Sequence, residues 1–157
     1  MDILLPHFKL EKIDFFSENH ISYIQELIYD EDVQKYLPYF RNGIYISRSM
    51  GLLNTHYVVF QGEKRIGYVF LTAPFKEKDD KNAEIRYIVD PNFRNQGLGK
   101  MIIKESSDYI LDNEEIDNLR AFIDPENIGS RKIIEYAGFE ETDENCDGIG
   151  YTKPKGR

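Results

Sequence analysis

The sequence predicts a mixed α/β domain with helices packed on a central sheet. Three observations predict it. The apolar period changes from two residues to about 3.6 after Pro91. Hairpin turn signals separate short β-rich runs, at Gln61 to Lys64 and at Asp147-Gly148. Helical stripes alternate with those runs in the order β-α-α-β-β-β-α-β-α-β-β. A length of 157 residues suits one domain, residues 1–157, with one core.

Phe8 to Ile13 reads as the first strand. Ser17 is a good N-cap, and Ile21, Ile24, Leu27 and Ile28 then recur at helical spacing. Asp30 caps a second, short helix through Val33, Tyr36 and Leu37, which Pro38 stops. Tyr39 to Asn54 has no clear period and reads as loop. His56 to Phe60 and Arg65 to Ala73 are the arms of a hairpin, and Pro74 to Asn82 is a charged exposed loop. Ala83 to Asp90 is a strand, with Ile85, Tyr87 and Val89 on one face and Glu84, Arg86, Ile88 and Asp90 on the other. Leu98, Met101, Ile102, Tyr109 and Ile110 mark a helix from about Gly97 to Leu111. Leu119 to Ile123 is the next strand. Asn127 to Ala137 is the last helix, burying Ile133, Ile134 and Ala137, with Gly138 at its C-cap. Strands from Phe139 and from Ile149 to Lys153 close the chain.

The chain is 41% hydrophobic and 31% charged, the composition of a soluble globular protein. Its formal charge of −8 argues against nucleic-acid binding, which needs a basic footprint. The same charge favours cationic partners such as amines, or only keeps the protein in solution. No apolar run approaches the ~20 residues that span a bilayer. The N-terminal stretch lacks the marks of a signal peptide. Cys146 is the only cysteine, which excludes an internal disulfide framework and a cysteine-rich metal site and makes the cytoplasm the expected location. His7, His20 and His56 lack metal-ligand spacing.

The segment Arg94-Asn95-Gln96-Gly97-Leu98-Gly99-Lys100 stands between a strand and a helix. A nucleotide P-loop would need glycine at Arg94 and a hydroxyl at Met101, and a dinucleotide fingerprint would need glycine at Ile102. Neither fits. What remains is Arg-x-x-Gly-x-Gly at a helix start. The first N–H groups of a helix have no intrahelical acceptor, and the macrodipole makes that end positive. Glycines let an anion approach the backbone, so a pyrophosphate is held there without a metal.

The run Ile88 to Ile110 resembles the acetyl-CoA motif of the GNAT superfamily of N-acetyltransferases. A second segment, Glu126 to Glu140, resembles that family's later motif through Asn127, Ser130, Gly138 and Phe139. Ser130 and Glu135 lean towards the branch containing ribosomal-protein N-terminal acetyltransferases and their small-molecule relatives. The resemblance implies a mainly antiparallel sheet of about six to seven strands flanked by about four helices, and commonly a homodimer. It implies acetyl-CoA as cosubstrate, no metal, and an amine-bearing acceptor, whether a small molecule or a protein N-terminus. It also implies a set of roles. The N–H groups of Asn95, Gln96, Gly97, Leu98, Gly99 and Lys100 hold the pyrophosphate, and Arg94 and Lys100 add charge. Tyr87, Ile88 and Val89 bind the pantetheine arm as a pseudo-strand, with an N–H near Ile88 polarising the thioester carbonyl. Asn127 contacts the cofactor, and it also reads as an ordinary N-cap.

A neutral amine is the nucleophile, so a base must take a proton. Glu84, ten residues before Arg94, is the candidate base; it also reads as a strand carboxylate paired with Arg86 or Lys81. Many members carry a tyrosine seven residues after the motif asparagine to protonate the thiolate, and here that position is Ile134. Tyr136 lies about 200° further round the helix. Ser130 lies on roughly the Ile134 face and is the candidate acid, or it only packs there. Tyr36, Tyr39, Phe40 and Tyr45 fall where the family builds its acceptor wall, and they equally suit loop and core packing. The alternative to an enzyme is a coenzyme A-binding sensor without turnover.

Overall fold

The computed structural model describes residues 2–13, 17–37, 55–72, 81–145 and 148–156. Among them are eight strands, hydrogen-bonded in the order β1-β2-β3-β4-β5-β6-β8-β7, and four α-helices. The strands are β1 (Ile3–Leu4), β2 (Lys9–Lys12), β3 (Thr55–Gln61), β4 (Lys64–Thr72), β5 (Asn82–Val89), β6 (Asn118–Ile123), β7 (Glu140–Asn145) and β8 (Ile149–Pro154). The helices are α1 (Glu18–Ile28), α2 (Glu31–Tyr36), α3 (Leu98–Asn113) and α4 (Ile128–Tyr136). The one strand beyond the sequence expectation is β1, a two-residue pairing of Ile3 and Leu4 with Leu10 and Lys9 that is too short to show a period. The chain divides into two compact units, Met1–Phe70 with Tyr87–Arg94, and Leu71–Arg86 with Asn95–Arg157.

In the first unit β2 lies antiparallel to β3, with Leu10 opposite Val59. Tyr23, Ile24, Leu27 and Ile28 of α1 form one buried stripe, packed with Ile13, Val33, Val58, Tyr68, Phe70 and Ile88. Ser17 occupies the N-cap of α1 in an extended conformation, but its side chain makes no capping bond. Asp30 does cap α2, its Oδ2 accepting from Val33 N at 3.4 Å. Glu31 and Asp32 in the first turn of α2 and Lys35 in the last match the helix dipole. Gly67 is dictated by proximity, since a Cβ there would stand 2.6 Å from the Ile88 carbonyl oxygen.

Two polar pairs are built into this core. His56 and the Tyr68 hydroxyl share a hydrogen bond, with the imidazole stacked on Phe70 at 4.3 Å between centroids. Burial pushes His56 down to about 4, so the ring is neutral. Tyr23 Oη donates to Asp90 Oδ2 at 2.9 Å. Burial, reinforced by that carboxylate, raises the Tyr23 phenol far above its ordinary range.

In the second unit β5 runs parallel to β6 over Asn82–Glu84, β6 pairs antiparallel with β8, and β7 pairs antiparallel with β8 across an irregularity between Glu141 and Asn145. The buried face of α3 comprises Leu98, Gly99, Ile102, Ile103, Ser106, Ser107, Ile110 and Leu111. Met101 and Tyr109, expected on that face, are only half-buried. The small residues Gly99, Ser106 and Ser107 share that buried face with the aliphatic side chains. On α4, Ile134 and Ala137 are buried as expected, and Ile133 is half-buried. Lys153 of β8 is fully buried, donating to Ser107 Oγ at 2.8 Å and to Asp108 Oδ1 at 2.6 Å. Burial alone would raise the Asp108 carboxyl, but the bonds from Lys153 and Lys104 outweigh it and hold Asp108 below its ordinary value.

The strand β5 does not follow one alternation. Ala83 and Ile85 are buried in the second unit, and the burial then passes to Arg86, Ile88 and Asp90 on the opposite face. Tyr87 and Val89, expected to share a face with Ile85, are half-buried.

The neutral His56 sets a dependence of stability on pH. Its folded value of about 4 lies below the unfolded 6.5, so the unfolded chain binds the extra proton between those values. Stability is complete above pH 6.5 and falls as the pH drops towards 4, by roughly 3 kcal/mol at most from this group. Urea denaturation at pH 7.5 and 4.5 should show the loss, and His56→Gln should flatten it relative to the parent. Equal slopes in the two proteins would show that His56 is not the group responsible.

Candidate functional site

The end of β5 passes into α3 through a tight, fully specified turn. Asp90 N donates to Ile66 O at 2.9 Å, which ends the strand. Asp90 Oδ1 then accepts from Asn92 N at 2.9 Å, capping a single 3₁₀ turn over Pro91–Phe93. With its other oxygen engaged by Tyr23, the Asp90 carboxylate joins α1 to this turn. Arg94 follows in extended conformation. Its Nε donates to Val89 O at 3.1 Å, and its guanidinium reaches Asp30 Oδ2 at 3.0 Å and Asp32 Oδ2 at 3.3 Å. Arg94 was expected to add charge to an anion site. Within the first unit its charge already faces two carboxylates, and it fastens the β5 turn to the head of α2.

In the second unit the loop continues through Asn95 at φ 63° and Gly97 at φ 75°, both left-handed. Asparagine tolerates that region and glycine favours it. Gly97 is the N-cap of α3 and brings no side chain to the helix mouth. No acidic residue stands in the first turn. The opening N–H groups of a 16-residue helix therefore lack both a capping side chain and a neutralising carboxylate, which is the electrostatic arrangement that holds an anion. Leu98 and Gly99 are buried beneath the turn and Lys100 is half-buried. The Lys100 ammonium lies 5.5 Å from the centre of the Tyr136 ring on α4.

Glu84 sits on β5 with its side chain 24% exposed, and the Arg86 guanidinium stands 2.5 Å from its Oε1. The ion pair between positions two apart on one strand face is thus formed. Glu84 also lies opposite Arg120 in the parallel ladder, which covers Asn82–Glu84 and leaves 85–89 outside it. On α4, Asn127 is the N-cap, its Oδ1 accepting from Ser130 N at 3.2 Å. Ser130 is half-buried in the first turn, and Ile134 one turn on is fully buried. Tyr136 points outward, 56% exposed. Tyr151 of β8 bonds to this helix, accepting from Arg131 Nε at 3.0 Å and donating to Glu135 at 3.5 Å.

Of the predicted residues, Tyr87, Ile88, Val89 and Arg94 belong to the first unit, and Glu84, Asn95 to Lys100, Asn127 and Ser130 to the second. Tyr36 is half-buried with the Lys35 ammonium 5.0 Å from its ring centre. Tyr39, Phe40, Tyr45 and Cys146 lie outside the described residues. Sequence reasoning missed the Arg94–Asp30–Asp32 clamp, because partners 64 and 62 positions apart leave no local pattern. It also missed the His56–Tyr68 pair; a histidine in a β-rich run beside a tyrosine-bearing return strand was the available signal. No group of three or more metal-binding side chains occurs among the described residues, and no described helix is long and apolar enough to cross a membrane.

A family model for the acetyltransferase (GNAT) domain matches residues 13–140. The fold is similar to that of an acetyltransferase of the GNAT family from Bacillus anthracis, with a TM-score of 0.77 and 18% identity over 100% of both chains. It is similar to RimL, a ribosomal L7/L12 alpha-N-protein acetyltransferase solved with coenzyme A, with a TM-score of 0.73 and 16% identity over 98% of each chain. It is also similar to the Campylobacter jejuni N-acetyltransferase PseH solved with acetyl coenzyme A, with a TM-score of 0.70 and 18% identity over 94% of this chain and 99% of that one. No curated protein matches the chain in sequence.

The Arg94 clamp carries its own expectation. Arg94→Ala should cost about 1–2 kcal/mol of stability, because a charged hydrogen bond to the half-buried Asp30 is lost. Asp30→Asn and the double variant complete the cycle. A coupling of at least ~0.5 kcal/mol by urea denaturation is expected for groups in direct contact. Strict additivity would show that the clamp contributes nothing.

Proposed function

The chain belongs to the GNAT acetyltransferase domain family, and on that premise we propose that residues 1–157 act as one domain that moves an acetyl group from acetyl-CoA to an amine. The single observation that carries the reading is the opening of α3. Two left-handed residues and a side-chain-free N-cap leave main-chain N–H groups facing out of a long helix, in the Arg-x-x-Gly-x-Gly frame. Those N–H groups, Asn95 to Lys100, hold the pyrophosphate. Tyr87, Ile88 and Val89 lie beyond the β5–β6 ladder, which supports their use as a strand edge for the pantetheine amides. An N–H near Ile88 then stabilises the oxyanion.

Glu84 takes the proton that the attacking nitrogen must lose, directly or through water. The new bond joins that nitrogen to the acetyl carbon, and the carbon–sulfur bond breaks. The departing thiolate takes its proton from Ser130 or from solvent. Arg86 orients the Glu84 carboxylate and competes with the proton for it. Asn127 shapes the start of α4 through its cap and contacts the cofactor from there. RimL is named for acetylating a ribosomal protein N-terminus, and Ser130 and Glu135 lean this chain towards that branch. A protein N-terminus or a small amine is accordingly the acceptor class. The single cysteine is in keeping with a cytoplasmic enzyme, and a homodimer belongs to the same reading.

Release of free thiol from acetyl-CoA with a panel of amines tests the proposal. Glu84→Gln should lower kcat by about 100-fold or more, the scale of a positioned base, with the Kd for acetyl-CoA changed less than about twofold. Unchanged turnover in that variant would remove Glu84 from the mechanism. Ile134 in place of the tyrosine gives the sensor reading its one foothold. Coenzyme binding without amine-dependent release from any acceptor would establish that reading instead.

A further inference from the structure

We propose that Tyr23 is a positioning residue for acetyl transfer, its hydroxyl acting through the Asp90 carboxylate to fix the end of β5. This rests on the reading in which an N–H near Ile88 stabilises the oxyanion. The participants all belong to the first unit. Asp90 N donates to Ile66 O at 2.9 Å, and the Ile88 carbonyl oxygen lies against Gly67, so both groups face β4. Successive residues of a strand turn their main-chain groups to opposite edges. The N–H of Val89, between them, therefore turns to the other edge, which the β5–β6 ladder over Asn82–Glu84 does not reach. That edge is the one proposed for the thioester. An oxyanion donor works only when its distance is held within a narrow range, about 2.7–3.1 Å.

A strand end held along one edge needs a second fastening, and the Asp90 carboxylate is placed to give it. It is buried, with Oδ1 on Asn92 N and Oδ2 on the Tyr23 hydroxyl, each at 2.9 Å. Tyr23 brings its bond from α1, 67 positions away in sequence. Tyr23 and Ile88 sit in the same buried cluster, and the Arg65 guanidinium covers the tyrosine ring at 4.5 Å. Packing at this place asks only for a ring, which phenylalanine would supply. Burying a hydroxyl costs stability unless its bond is made, and this one is spent on Asp90. Burial and that carboxylate keep the phenol protonated far beyond its ordinary range, so the donor is present at any working pH. Arg94 adds a further tie to the same strand end, its Nε on Val89 O. Without the Tyr23 oxygen, a buried carboxylate would be short of a donor one residue from the N–H that the reaction uses.

Tyr23→Phe on the full chain keeps the ring and removes the hydroxyl. Thiol release with the fastest amine of the panel gives kcat at saturating acetyl-CoA. Calorimetry with coenzyme A gives the Kd of a ligand that has no acetyl carbonyl. Both are measured well below the melting temperature of each protein. In Tyr23→Phe kcat should fall about tenfold, within the range that misplacing a reacting group produces, and the Kd for coenzyme A should change less than about threefold. A tyrosine with only a structural role would lower the melting temperature and leave kcat untouched, and that result would overturn the proposal. Equal losses in kcat and in coenzyme A affinity would overturn it too, because they mark a general distortion. Asp90→Ala supplies the second arm. Adding Tyr23→Phe to it should cost no further kcat, since the carboxylate through which the hydroxyl acts is gone. Losses that multiply would show that Tyr23 acts by another route. A parent protein that binds coenzyme A but acetylates no amine of the panel would overturn the acetyl-transfer reading itself, and this role with it.

Discussion

Gly97 stands at φ 75° at the head of a 16-residue helix, and what the chain can hold depends on the peptide N–H groups this turn leaves without acceptors. A serine or aspartate at that position would place its own oxygen on them. Glycine brings no such oxygen. Asp90 ends β5, caps the 3₁₀ turn and accepts from Tyr23, so the stretch up to Arg94 is held by contacts within the first unit. In the proposed reading, backbone donors fixed at a helix start need little reorganisation to meet an anion.

The positive charges around this loop are assigned to different tasks. Arg94 carries the motif position but faces Asp30 and Asp32, so it acts as a fastener at the root of the loop. Lys153 is buried against Ser107 and Asp108 on the far end of α3 and fixes that helix to β8. Lys100 alone of these three is neither buried nor set against a recorded carboxylate, and it leans on an aromatic ring.

Much of this was legible in the sequence where the signal was local. The Asp30 cap, the α3 start and the Asn127 cap each follow from a residue and the few positions after it, and each is formed. The β5 alternation was only half legible. Its burial changes face between Ile85 and Arg86, and a charged Arg86 at 8% exposure cannot be told from a solvated one by periodicity. On α3 the apolar stripe is buried at Leu98, Ile102 and Ile110 and half-buried at Met101 and Tyr109, while the buried Gly99, Ser106 and Ser107 carry no apolar signal to read. Ser17 shows a subtler gap: the right residue stands at the right place, yet α1 begins without its side-chain bond. Lys153 lay hidden for the reason Arg94's partners did. Its carboxylate is 45 residues away, and only the fold brings them together.

The absence of a phenol at position 134 bears on the last chemical step. Ile134 is fully enclosed, so no small rotation of α4 would replace it with Tyr136, which is two residues on and exposed. Tyr151 approaches α4 from β8 but is held between Arg131 and Glu135. A thiol leaving group has an ordinary pKa near ~8.5, far closer to neutrality than the roughly 10 of an amine. The thiolate can therefore depart with help from a hydroxyl or solvent, whereas the nitrogen cannot lose its proton without a base. On the proposed mechanism the demand on the protein falls on the amine proton, the task proposed for Glu84, and is light on the side where the tyrosine is missing.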